Sequence, residues 1–119
     1  MPYHIQFSHP LACIDKEELL ERMKEKTGFV LVDTVGKYDG NKFRIRGAKT
    51  IPYPDVIDRR GELKDFNEII IYCKNRDCVA SKKVALGLTL LNIPNVKIYE
   101  GGIDEWMENG LPVEEEIDY

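Results

Sequence analysis

The run Ile69-Ile70-Ile71-Tyr72-Cys73 constrains this chain more than any other stretch. β-Branched residues stop on a cysteine, the polar segment Lys74-Asn75-Arg76-Asp77-Cys78-Val79-Ala80-Ser81 follows, and apolar residues at helical spacing run from Lys82 to Leu88. That order predicts a strand, a loop and a helix, with a thiol at the strand's C-terminal edge. Open α/β sheets bind ligands at that edge. Loop N–H groups and a helix N-terminus there can face an anion, so a thiolate or persulfide on Cys73 would be stabilised. Burial as a small strand residue is the commonest fate of a free cysteine. Two features weigh against it: a second cysteine, Cys78, and a local excess of positive charge. Lys74, Arg76, Lys82 and Lys83 face only Asp77, a local +3 in a chain of net charge −4, which favours an anionic substrate.

The 119 residues suffice for one domain with its own core, spanning 1–119 with an extended lead-in over 1–13 and an acidic, solvated tail over 114–119. Three cysteines, an odd number, and an opening Met-Pro-Tyr-His without an apolar signal segment point to a reducing, cytoplasmic setting. No apolar run approaches membrane-spanning length, and the negative net charge argues against nonspecific nucleic-acid binding.

Other elements follow in order. Asp15 with Glu18 resembles a capping box, Ile14 can staple onto Leu19, and Leu19, Leu20 and Met23 form the apolar stripe of a helix that Gly28 stops. Phe29 to Val32 reads as a strand buried on both faces, ending on Asp33. Asp33 should therefore share the edge with Cys73, either as a loop cap or as part of the site. Val35 to Arg46 reads as a loop with room for a short helix, Gly47 to Ile51 as a second short strand closed by Pro52 and Pro54, and Asp55 to Glu68 as a connection with one helical turn. Val84, Leu88 and Leu91 predict the face by which the helix after Cys73 packs, with Asn92 and Pro94 ending it. Val96 to Tyr99 is a further strand, Gly101-Gly102 a sharp turn or close approach, and Ile103 to Asn109 a helix stopped by Gly110, with Trp106 as core or subunit contact. This alternation implies βαβ units and a mostly parallel sheet.

Four segments carry a resemblance to the rhodanese-like, single-domain sulfurtransferases: Leu31-Val32-Asp33-Thr34, Arg46 to Pro52, Ile70 to Cys73, and Val96 to Trp106 with Gly110-Leu111-Pro112-Val113. The resemblance implies an α/β fold, a five-stranded mostly parallel sheet flanked by helices on both faces. It also implies that Cys73 takes a sulfane sulfur from a small anionic donor, holds it as a persulfide and passes it to a thiol, protein or cyanide acceptor. Cys73 and Cys78 would be the catalytic residues, Lys74, Asn75, Arg76, Asp77, Val79, Ala80, Ser81 and Asp33 would bind the substrate, no cofactor is called for, and the chain would be a monomer or weak homodimer. An unperturbed cysteine is mostly protonated at neutral pH, so the loop N–H groups from Lys74 to Ser81, the helix N-terminus and the nearby cations must hold the thiolate. Asp77 opposes this and should point outward or cap the helix.

The sequence departs from the family pattern. Cys78 stands five positions after Cys73, where a small or basic residue is usual, and Ser81 supplies the matching hydroxyl after a loop about two residues longer. Val35 and Arg46 replace a usual basic residue and a usual proline. The longer loop would widen the pocket, which sets persulfide and polysulfide beside thiosulfate as donors. Cys78 is either a resolving thiol or a filler of a small loop position. Phosphatase relatives need Cys-x5-Arg, but the arginine's place counted from Cys73 is Val79, which offers no planar fork. A metal site from Cys73, Cys78, Cys13, His4 and His9 is disfavoured by spacing. A non-catalytic interaction module remains an alternative, although modules of that kind typically lack the strand-end cysteine that this chain keeps.

Overall fold

The structure, a computed structural model, describes residues 11–25, 28–35 and 42–115. Most of the expected lead-in, with His4 and His9, and the stretches 36–41 and 116–119 lie outside the described residues.

β1 (Ala12–Ile14), β2 (Phe29–Asp33), β4 (Lys49–Thr50), β5 (Glu68–Tyr72) and β6 (Val96–Tyr99) form one sheet in the order β1-β6-β5-β2-β4. Every pairing in it is parallel. Ala12 and Cys13, expected in the lead-in, are thus part of an edge strand. The two central strands read as continuous apolar runs because both sheet faces are covered. Alternation splits them cleanly. Val30, Val32, Ile69 and Ile71 face α2 (Ala80–Leu90) through Val84, Ala85 and Leu88. Leu31, Ile70 and Tyr72 face α1 (Lys16–Glu25) and α3 (Gly102–Glu108) through Leu19, Ile103 and Trp106. Helices therefore cover both faces, as the resemblance implied.

The start of α1 follows its sequence signal. The Asp15 carboxylate accepts the Glu18 N–H at 2.8 Å, and Ile14 and Leu19 share one core cluster. In α2 the packed stripe is Ser81, Val84, Ala85 and Leu88 rather than Val84, Leu88 and Leu91. Leu91 lies past the helix end and is exposed, because the chain turns at Asn92, whose φ is +64°. Trp106 is a core residue: it is fully buried, donates from Nε1 to the Pro112 carbonyl at 2.7 Å and meets the Tyr99 ring edge-on at 5.8 Å.

Two expectations fail on β3 (Phe43–Ile45) and β7 (Val113–Glu115), which pair antiparallel as a separate small sheet. The segment read as loop contains β3, and the acidic tail loses Glu114 and Glu115 to β7. Arg44 and Glu114 pair at 2.8 Å across the strands, and Ile45 is fully buried, so non-local contacts fix elements too short to show a period. The connection from Asp55 to Glu68 likewise hides two core residues, Val56 and Leu63, each directly after a short 3-10 turn, at Tyr53–Asp55 and Arg60–Glu62.

Candidate functional site

Cys73 is the first residue beyond β5, at the C-terminal edge of the sheet's middle strand, and is 6% exposed. The segment from Lys74 to Val79 loops out before α2 begins at Ala80, so Ala80 and Ser81 lie in the helix's first turn. Val79 sits at the N-cap with no side-chain cap, and first-turn N–H groups have no intrahelical acceptor. An uncapped, positive helix end therefore directly follows the loop that starts at Cys73. The Ser81 hydroxyl is buried there.

The loop is organised by Asn75. Its carbonyl accepts the Cys78 N–H at 3.1 Å, its side-chain oxygen accepts the Asp77 N–H at 3.0 Å, and its amide donates to Asp104 at 3.2 Å. The cradle expected from Lys74 to Ser81 is therefore smaller, since the Asp77 and Cys78 N–H groups are committed to Asn75. Asp77 is exposed and leaves the helix uncapped. At the loop's start, the Ile103 and Asp104 N–H groups donate to the carbonyls of Cys73 and Lys74 at 3.1 and 3.0 Å. This grip depends on Gly102, at φ +69°, where a Cβ would stand 2.5 Å from both carbonyl oxygens.

Cys73 and Cys78 form a disulfide, with Cα atoms 6.2 Å apart. The longer loop thus does not widen the pocket in this state; it folds back and sets the Cys78 sulfur on Cys73. Cys78 is half-buried and Val79, next to it, is 56% exposed.

Asp33 reaches the same edge, in register with Tyr72, but lies on the sheet face covered by α1 and α3. It is 1% exposed, accepts the Val35 N–H at 2.8 Å and accepts the Tyr72 hydroxyl at 2.9 Å. Of its two possible roles, these bonds fill that of the loop cap. The basic residues are partly offset: Arg76 faces Glu105 at 3.7 Å and Lys82 faces Glu100 at 3.8 Å, while Lys74 and Lys83 are exposed. A cavity of about 430 Å³ beside the loop is lined by Asn75, Arg76, Asp77, Asp104, Glu105 and Glu108 among others, an acidic wall that sequence order gave no means of seeing. The third thiol, Cys13, lines a neighbouring cavity of about 250 Å³ with Arg76 and Glu100. Desolvation, then the Glu100 carboxylate as hydrogen-bond partner and as charge, push it up to about 11, so it stays a thiol at neutral pH.

With a middle-strand cysteine at the C-terminal edge, a looped segment and an uncapped helix in place, the family model of the rhodanese-like domain matches residues 15–109. The chain belongs to the rhodanese-like domain family. It is similar to an HTH-type transcriptional regulator of Mycobacterium tuberculosis, 33% identical over 106 residues, covering 89% of this chain and 46% of that protein. It is also similar to the 3-mercaptopyruvate sulfurtransferase of Escherichia coli, 35% identical over 86 residues, covering 59% of this chain and 30% of that one. The chain thus spans less than half the length of these curated relatives. Among solved structures, a rhodanese-like domain from Anabaena sp. superposes with a TM-score of 0.73 at 23% identity, over 86% of this chain and 77% of the other. Rhodanese-like architecture also accounts for the helices on both faces. Among the described residues, no helix is long and apolar enough to cross a membrane.

Proposed function

We propose that this rhodanese-like chain is a sulfurtransferase whose carrier is Cys73. The observation that carries the reading is the position of Cys73, at the end of β5 and one loop before the uncapped N-terminus of α2. Once the disulfide is reduced, that positive end favours thiolate over thiol, and the thiolate is the nucleophile. With thiosulfate as donor, the Cys73 thiolate attacks the outer sulfur, the S–S bond of thiosulfate breaks, and sulfite leaves with its electron pair. An acceptor thiolate or cyanide then attacks the terminal sulfur of the Cys73 persulfide, and the Cys73 thiolate departs. Polysulfide or an alkyl persulfide enters by the same displacement. The buried Ser81 hydroxyl, for which no protein acceptor is found among the described residues, supplies a hydrogen bond to the sulfur anion. Exposed Lys74 and Lys83 add the remaining cationic charge.

The test is thiocyanate formation from thiosulfate or polysulfide with cyanide, run on fully reduced wild type, Cys73→Ser and Cys78→Ser. Loss of transfer in Cys73→Ser is expected. Full transfer by Cys73→Ser with loss in Cys78→Ser would move the carrier to Cys78, and no transfer by any form would favour a non-catalytic interaction module.

A further inference from the structure

We infer that Cys78 resolves the Cys73 persulfide, so that the domain can reduce sulfane sulfur to hydrosulfide instead of only relaying it. This rests on Cys73 being the sulfur carrier. The structure holds the product of that step: a disulfide between the strand-end cysteine and the cysteine five residues on. The loop that brings the sulfurs together has restraints of its own. The Cys73 and Lys74 carbonyls are gripped by the Ile103 and Asp104 N–H groups, Asn75 is tied to Asp104, and the Asn75–Cys78 turn returns the chain toward its start. Five hydrogen bonds, counting that from the Asp77 N–H to Asn75, therefore shape the loop alongside the S–S bond. A thiol at position 78 sits within reach of position 73 by backbone design, whereas a mere space-filler needs no such arrangement.

The step balances without an outside oxidant. The Cys78 thiolate attacks the inner sulfur of Cys73–S–SH, the Cys73–Cys78 bond forms, and the persulfide S–S bond breaks. Its electron pair and proton leave with the terminal sulfur as hydrosulfide, so Cys78 is oxidised and the terminal sulfur is reduced. A dithiol reductant then resets the site. It attacks Cys78, half-buried and next to exposed Val79, rather than Cys73 at 6% exposure. The Cys73 thiolate leaves toward the helix N-terminus, and the second reductant thiol releases Cys78 as a thiol while the reductant becomes a disulfide. The oxidised form cannot accept sulfur, so the same pair gates sulfur uptake by the supply of reductant.

The experiment is single-turnover loading without added thiol. Reduced, desalted wild type, Cys78→Ser and Cys73→Ser are treated with one equivalent of thiosulfate, and separately of inorganic polysulfide. Hydrosulfide is counted, and intact mass and tryptic maps are recorded under denaturing, alkylating conditions. The expected wild-type result is about one hydrosulfide per chain above the Cys78→Ser background, a mass lower by two hydrogens, and a Cys73–Cys78 cross-linked peptide. The expected Cys78→Ser result is a stable gain of one sulfur on the Cys73 peptide. Wild type that likewise keeps the added sulfur, with no cross-link and no hydrosulfide above background, overturns the resolving role and leaves the carrier role of Cys73 standing. If Cys78→Ser takes up no sulfur from either donor, the carrier reading fails first and the resolving role falls with it.

Discussion

The Tyr72 hydroxyl donates to the Asp33 carboxylate at 2.9 Å and accepts the Ile45 N–H at the same distance, joining the ends of β5 and β2 to β3. All three residues are essentially fully buried. Tyr72→Phe removes an acceptor from Ile45 and a donor from Asp33, which costs about 1–3 kcal/mol because buried polar groups lose partners. Urea unfolding should show a lower midpoint at an unchanged slope. Sulfur uptake by the folded protein should be retained, since these bonds lie on the sheet face away from α2.

Gly102 packs directly against the Cys73 and Lys74 carbonyls. In Gly102→Ala the methyl group would meet two carbonyl oxygens at 2.5 Å from a backbone at φ +69°, so α3 or the loop must move. The strain at φ alone is about 1–3 kcal/mol. Transfer by Cys73 should fall by at least tenfold while circular dichroism at low temperature keeps the native helix content; unchanged kinetics in a folded Gly102→Ala protein would show that the grip on the loop is dispensable.

At the opposite edge of the sheet, Glu68 accepts from Arg22 at 2.8 Å and pairs with Lys97. Burial pushes its carboxyl up, but the hydrogen bonds from Arg22 and Lys97 outweigh this and hold it below the usual range. A depressed folded-state value gives stability that is present above the unfolded value of about 4.3 and is lost as pH falls through the folded one. Glu68→Gln should therefore cost about 1–3 kcal/mol at neutral pH. The gap to wild type should narrow as pH falls below the unfolded value and close below the folded one, as read from denaturant melts across pH. A gap that stays constant with pH would remove Glu68 ionisation as its cause.

Arg76 and Lys82 lean on acidic neighbours at 3.7 and 3.8 Å, contacts long enough for an incoming anion to compete with. Charge reversal at Lys74 or Arg76 should lower kcat/KM for thiosulfate several-fold. Reversal at exposed Lys24, in the last turn of α1, should leave it within error. The difference should shrink as added salt brings the screening length below about 10 Å. Equal effects at all three positions, or no salt dependence, would separate donor capture from the basic loop.

The central architecture was readable because its signals are local. Ile69 to Tyr72 and Phe29 to Val32 are unbroken apolar runs, Asp15 marks a helix start, and Gly102 and Gly110 stand where φ is +69° and +65°. β3 and β7 were not readable: each is three residues long and exists through a partner some 70 positions away in the chain, such as Glu114 for Arg44. In the site, the spacing of Cys73 and Cys78 was visible, and so was the choice that Asp33 faced. The turn that Asn75 builds, and the acids Asp104, Glu105 and Glu108 brought beside the loop by α3, depend on tertiary packing that no window of sequence contains.

The most direct measurement is the location of sulfur after donor treatment of reduced Cys78→Ser, where the carrier cannot be resolved. Peptide mass spectrometry should find one cyanide-labile sulfur on the peptide that contains Cys73, and none on the peptide that contains Cys13, whose thiol is held protonated. Sulfur found on Cys13, or on no cysteine with any of thiosulfate, polysulfide and alkyl persulfide, would contradict the assignment of Cys73 as the carrier.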